Sequence, residues 1–173
     1  MKIGKLDTAS LGRPIIVAEM SANHLGRLER ALEIIDAAAG SGADALKIQT
    51  YRADTITIRS DRPEFRIRGG LWDGRSLYDL YEEGTTPWEW IPALIERGRK
   101  NGLEVFSSPF DAGAAAVLEK NGVPAFKIAS FELVDLGLIR AVSAYRKPVI
   151  MSDGLASLSE IDRAVNAARQ GGA

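Results

Sequence analysis

Short apolar runs alternate with longer amphipathic segments along most of the chain. Ile15–Met20 (IIVAEM) is nearly all apolar, the pattern of a strand buried on both faces. Arg27–Ala39 follows with Leu28, Ala31, Leu32, Ile34, Ile35 and Ala38 at helical spacing, and Gly40 and Gly42 mark its end. The alternation then repeats: strands at Ala45–Tyr51, Glu104–Phe110, Ala125–Ser130 and Pro148–Ser152, and helices at Trp88–Lys100, Ala112–Lys120, Asp135–Tyr145 and Ser157–Gln170. Asn101-Gly102 and Asn121-Gly122 supply helix stops, while Ser157 or Ser159 is an N-cap with Glu160 in the first turn. Five consecutive βα units demand parallel strands joined by helical crossovers.

One stretch, 52–87, breaks the alternation. Ile56, Ile58, Phe65 and Ile67 suggest a short hairpin there, and Leu77–Tyr81 a helical turn. A long insertion after a strand often serves as a lid or substrate-binding loop. Parallel βα repeats fit either an open doubly wound sheet or a closed barrel. No GxGxxG or P-loop follows the first strand, so the usual nucleotide signature is missing. A complete TIM barrel has eight units in about 250 residues. On pattern alone, a small open sheet and a partial barrel both remain.

Composition narrows the chemistry. With 22 Lys+Arg against 23 Asp+Glu, the formal charge of -1 gives no reason to expect nucleic acid or an acidic membrane as partner. Arg59, Arg62, Arg66 and Arg68 are interleaved with acids and read as a solvated loop face. The chain has no cysteine, which removes disulfides, thiolate metal sites and thiol nucleophiles, and the single His24 cannot build a histidine-rich metal site. No signal-like leader or spanning apolar run is apparent, so a cytoplasmic protein is expected.

In a barrel, polar residues at the C-terminal ends of strands line the active face. The first strand ends at Glu19, followed by Ser21, Asn23 and His24; the second carries Lys47, Gln49 and Thr50. The third ends at Ser107 and Ser108, the fourth holds Lys127 and ends at Ser130 with Glu132 beyond, and the fifth ends at Ser152. Lysines within apolar strands are rare unless paired or used. Lys47 and Lys127, read as lying on neighbouring strands, would supply charge to an anion pocket, with Ser108, Ser130 and Ser152 as donors. Glu19 and Glu132 would serve as acid or base. Two other readings stay open: each lysine pairs with a structural carboxylate, Lys47 with Glu19 for instance, or one forms a Schiff base.

The words AEMSANHLG, LKIQTY, FSSPFD, PAFKIASFE and KPVIMSDG resemble the N-terminal half of the sialic acid synthase family. The insertion GGLWDGRSLYDLYEEGTTPWEW resembles its pseudaminic acid synthase branch. The resemblance runs from about Ile15 to Ile161. It implies an α/β fold of TIM-barrel type, with about five of eight units within 1–173 and the insertion at 52–87. The second barrel half and an antifreeze-like domain are expected outside these residues.

The resemblance also implies condensation of phosphoenolpyruvate with an N-acetylated amino sugar, assisted by Mn²⁺ or Mg²⁺, in a homo-oligomer. The sugar would be a 2,4-diacetamido-2,4,6-trideoxy hexose and the product pseudaminic acid. N-acetylneuraminate or legionaminic acid synthesis, or an inactive partial homologue, are the alternatives. Carried over by position, Lys47 and Lys127 match phosphoenolpyruvate-binding lysines, and Ser108, Ser130 and Ser152 match hydroxyls around phosphate and carboxylate. Glu19 and Glu132 match acids near the reacting carbons, Gln49 completes the K-x-Q word, and Asn23-His24 is a site-shaping pair. Metal-binding histidines belong to later strands, so no metal ligand is expected within this chain. The family's S-T-G-M reads Ser152-Asp153-Gly154-Leu155 here, placing a negative charge near the expected phosphate. Trp72, Tyr78, Tyr81 and Trp88 of the insertion are candidates for sugar contact.

Overall fold

A computed structural model describes residues 1–173. Two short strands, β1 (Lys2–Ile3) and β2 (Leu6–Asp7), form an antiparallel hairpin ahead of the repeats. The sequence pattern did not reveal this hairpin, because two-residue strands carry no periodicity. Its turn needs Gly4, which has φ +58°; a Cβ there would fall 2.3 Å from the Glu104 carboxyl carbon. Glu104 accepts instead from the Lys5 amide at 2.9 Å, tying the hairpin to the sheet.

Five parallel strands follow: β3 (Val17–Glu19), β4 (Ala45–Thr50), β5 (Glu104–Pro109), β6 (Phe126–Ile128) and β7 (Val149–Met151). They are ordered β3-β4-β5-β6-β7. The main crossover helices are α1 (Leu28–Gly40), α4 (Ile91–Lys100), α5 (Ala112–Lys120), α6 (Leu136–Ser143) and α7 (Leu158–Gly171). Three of them start at side-chain caps: Asp111 accepts from the Ala114 amide, Asp135 from Leu138, and Ser157 from Glu160 in a capping box. No helix is long and apolar enough to cross a membrane.

Two features decide between open sheet and barrel. The strand order never reverses, whereas a doubly wound sheet has a switch point. The helices also share one core on one face: Leu46, Ile48, Val105, Phe126 and Ile128 pack with Ile35, Leu94, Leu118, Ile139 and Ala164. Strand side chains alternate between faces, so Ala45, Phe106 and Ala125 lie on the opposite side. There they pack with Ile3 and Leu6 of the hairpin, which plugs the N-terminal end of the inner face. The result is a barrel-type sheet segment with helices outside and a polar inner face above an apolar plug.

The 52–87 insertion differs from expectation. Ile56 closes a short helix, α2 (Ala53–Ile56), and Ile58 is exposed, so no strand runs through them. Phe65 ends a 3-10 turn at Pro63–Phe65. Only one antiparallel bridge forms, Arg66 with Ser76, supported by Ile67 N–H donating to Arg75 C=O at 2.9 Å. Glycines at 69, 70 and 74 let this loop turn back on itself. The helical turn at Leu77 is instead a full helix, α3 (Leu77–Gly84), capped by Ser76.

Candidate active site

Pairing register sets which polar groups meet. Glu19 on β3 lies opposite Lys47 on β4, and Gln49 lies opposite Ser108 on β5. Ser107 pairs with Phe126 on β6, and Lys127 with Ile150 on β7. Because the side-chain period is two, Glu19, Lys47, Gln49, Ser108, Lys127 and Ser152 share the inner face. Lys47 and Lys127 are not on neighbouring strands: β5 separates them. Two strand spacings put their strands about 10 Å apart, yet the positive charge of Lys47 still acts on Lys127 across the inner face.

Lys47 forms an ion pair with Glu19, whose other oxygen accepts from the Ser21 amide at 2.9 Å. The lysine side chain is 19% exposed and the glutamate 40%, so water still reaches the pair. Lys127 Nζ donates to the Ile128 carbonyl at 2.6 Å. Burial lowers the Lys127 pKa, with the positive charge of Lys47 adding to the effect; Glu132 and Glu19 oppose it. Glu132 sits in a 3-10 turn, Phe131–Val134, just beyond β6. Burial raises its pKa against the pull of Lys127, and its Oε2 is buried without a partner, so it holds a proton more readily than an ordinary glutamate.

Ser108 is buried at the end of β5, while Ser130 and Ser152 are half-buried. Ser130 and the start of the β7–α7 loop are close, since a Cβ at Gly154 would lie 3.7 Å from Ser130 Oγ. The Ser152 amide donates to Ile128 C=O at 3.0 Å, the same carbonyl that holds Lys127. Asp153 is exposed and makes no ion pair, which leaves its charge to solvent screening.

His24 lies in the β3–α1 loop, against the end of the insertion. It is fully buried, its Nδ1 accepts from the Gly26 amide at 3.1 Å, and Nε2 is 3.2 Å from Thr86 Oγ1. The Nδ1 contact requires the Nε2–H tautomer, which donates to Thr86. Burial lowers its pKa, and Trp90 packs edge-on at 5.5 Å. With both nitrogens engaged, His24 is a brace between the β3–α1 loop and the insertion. No three His, Cys, Asp or Glu side chains stand together as a metal-holding group. The residues of this chain therefore do not fit a divalent-ion site by themselves, and no step below runs through one.

Asn23 stands apart from the lysines. Its Nδ2 donates to Met20 C=O at 2.9 Å, and it lines an open cavity of about 510 Å³ between the β3–α1 loop, the end of β4 and the insertion. Gln49 borders both this cavity and the lysine site. Of the insertion aromatics, Trp72 and Tyr81 line the cavity. Tyr78 instead lies under the Arg59 guanidinium, and Trp88 under that of Arg52. Leu25, Tyr51 and Leu80 also line it and were not singled out by sequence. Tyr51 had a signal: it continues the Lys47, Gln49 period by one step.

The NeuB family pattern matches residues 34–173. Pseudaminic acid synthases from Campylobacter jejuni and Helicobacter pylori are each 45% identical, over 93% and 91% of this chain and 46% of their own length. The chain thus spans about half the length of these curated relatives. Among solved structures, N-acetylneuraminic acid synthetase from Leptospira borgpetersenii superposes with a TM-score of 0.80 at 28% identity, covering 98% of this chain and 56% of that one. A truncated 3-deoxy-D-arabino-heptulosonate 7-phosphate synthase from Thermotoga maritima has a TM-score of 0.66 at 13% identity over 96% of this chain and 52% of its own, a likeness of fold alone. With the family pattern over most of its length and the inner-face polar residues on consecutive strands, this chain belongs to the NeuB family.

Proposed function

We propose that this chain is part of a phosphoenolpyruvate-dependent nonulosonic acid synthase, which joins phosphoenolpyruvate to a 2,4-diacetamido-2,4,6-trideoxy hexose to give pseudaminic acid and phosphate. The observation that carries the reading is the inner-face constellation of Lys47, Lys127, Glu19 and Glu132 above the apolar plug. The 45% identity to pseudaminic acid synthases supports this branch over the legionaminic acid synthases, which are 30% identical.

Lys47 and Lys127 would hold the phosphate and carboxylate of phosphoenolpyruvate, with Ser108, Ser130 and Ser152 donating to their oxygens. Such preorganised donors stabilise charge without reorganising at the moment of reaction. C3 of phosphoenolpyruvate then attacks the sugar aldehyde, forming the carbon–carbon bond. Glu132, whose burial favours the protonated form, would deliver a proton to the new alkoxide. Water adds at C2 while Glu19, ion-paired with Lys47, would take one of its protons; the C–O bond to phosphate then breaks, and the remaining hydroxyl proton leaves with the phosphate. A divalent ion, expected from the family, would supply polarisation of the aldehyde from ligands beyond these residues.

The test is phosphate release from phosphoenolpyruvate with Mn²⁺ and the diacetamido-trideoxy sugar. Release that needs both substrates and vanishes in Lys127→Ala supports the reading. No release, even when the chain is joined to the second half of a NeuB-family relative, would overturn it.

A further inference from the structure

Three non-glycine residues hold a positive φ: Ser21 at +50°, Leu25 at +50° and Arg146 at +56°. Side chains resist this conformation, and where it persists the surrounding structure must enforce it. Arg146 has an ordinary reason. It follows α6, and its N–H donates to Ser143 C=O at 2.9 Å, closing the helix end. Ser21 and Leu25 follow no helix; both lie in the loop between β3 and α1. We infer that Ser21 is a positioning residue for the proposed reaction: its backbone, held in the left-handed region by this loop, aims the Glu19 carboxylate. The inference rests on the synthase reading, in which Glu19 takes a proton from water, and adds the group that orients it.

At Met20 the strand ladder still holds, its N–H donating to Lys47 C=O at 3.0 Å. At Ser21 the chain turns. The Asn23 N–H returns to Met20 C=O at 3.1 Å, which makes Ser21 the second residue of a four-residue turn. Positive φ at that place marks turn types I′ and II′, which glycine, asparagine and aspartate dominate. The turn brings the Ser21 N–H to Glu19 Oε1 at 2.9 Å, while Oε2 faces Lys47. Each oxygen of the carboxylate thus has its own partner. The ion pair alone would not orient it, since both side chains are long and water reaches them. The amide, carried on the main chain, is the fixed partner.

The rest of the loop keeps Ser21 in place. Asn23 Nδ2 donates to the same Met20 carbonyl at 2.9 Å, and Arg30 Nε from α1 donates to Asn23 C=O at 2.7 Å. His24, fully buried, ties the loop to Thr86. Leu25 is the second residue of a further turn, His24–Arg27. There Leu25 and Gly26 both have positive φ, and the Arg27 N–H donates to His24 C=O at 3.0 Å. Leu25 is 67% exposed, so its conformation gains little burial for its side chain. What the two turns set is backbone direction: one aims an amide at Glu19, and the other leads into α1 at its N-cap Arg27.

The experiment is a double-mutant cycle read by phosphate release, run on the chain in the form that turns over, alone or joined to the second half of a NeuB-family relative. Valine is β-branched and resists positive φ. Ser21→Val should lower kcat about 100-fold, the effect of a misplacement of about 1 Å, with KM for phosphoenolpyruvate changed less than about threefold. Ser21→Gly keeps the amide and suits the turn. It should hold kcat within about threefold of the parent and raise the urea midpoint. In a Glu19→Gln background, adding Ser21→Val should lower kcat less than about threefold further, because a residue acting through Glu19 has nothing left to orient. Where Ser21→Val loses the parent's cooperative melt, Ser21→Thr, equally branched but closer to serine, replaces it. Additive losses in the cycle, a stability loss with kcat unchanged, or a Ser21→Gly as impaired as Ser21→Val would each overturn the inference and leave the synthase reading standing. A parent that releases no phosphate in either form strikes the synthase reading itself, and the inference falls with it.

Discussion

Replacing Lys127 with methionine separates a binding lysine from a structural one. The ammonium is half-buried, its pKa is lowered by burial and by Lys47, and its one hydrogen bond goes to the carbonyl next along its own strand. Burial and like charge therefore act against it in the empty site. Methionine keeps most of the stem volume without the charge, and such near-isosteric swaps cost less than about 1.5 kcal/mol even in cores. Glu132, losing a neighbour that favours its ionised form, answers by holding its proton more tightly. Stability should thus stay within about 1 kcal/mol of the parent or rise. Phosphoenolpyruvate binding should behave oppositely. A hydrogen bond to a charged group contributes about 1.5–3 kcal/mol, so affinity should fall about 10- to 150-fold. Urea denaturation measures the first quantity and titration calorimetry the second. A loss of more than about 2 kcal/mol in stability with affinity within twofold would refute the argument and make Lys127 a structural residue.

Two further outcomes follow from the packing. His24 is buried neutral with a lowered pKa, so the unfolded chain binds a proton that the folded one refuses. Its stabilising effect is present above the unfolded pKa near 6.5 and is lost as pH falls through the folded value, at a slope of up to about 1.4 kcal/mol per pH unit. Thermal melts from pH 7 to pH 5 should show a steeper decline for the parent than for His24→Gln; parallel curves would show that His24 does not carry the effect. Gly98→Ala sets helix propensity against space: alanine favours a helix interior by about 1 kcal/mol, but its Cβ in α4 would lie 2.2 Å from Val105 Cγ2 on β5. Overpacking costs about 1–3 kcal/mol, so the variant should be net destabilised by denaturant melt, and a stabilised variant would mean β5 yields easily.

The apolar-run and amphipathic alternation determined the five βα units by itself, with element ends within a residue or two at Ala45–Thr50 and Ala112–Lys120. Period and length suffice there because the central strands β4 and β5 are largely buried on both faces and each helix on one. Polar residues on or at the ends of the predicted strands picked out Glu19, Lys47, Gln49, Ser108 and Lys127 as candidates, and the pairing register puts them on one face of the sheet. Local pattern failed in the insertion, where isoleucines at 56 and 58 look like a strand but find no partner strand to pair with. It failed again at the N-terminal hairpin, whose stability comes from Phe106, Ala125 and Ala45, far away in sequence. Only the tertiary structure chose the barrel-type sheet, since one-sided helix packing and an unreversed strand order are properties of the assembled sheet. It alone set β5 between the two lysines, buried Glu132 enough to raise its pKa, and closed a cavity from Tyr51, Trp72 and Tyr81. Distances, desolvation and enclosure arise between segments, and no window of sequence contains both sides of such a contact.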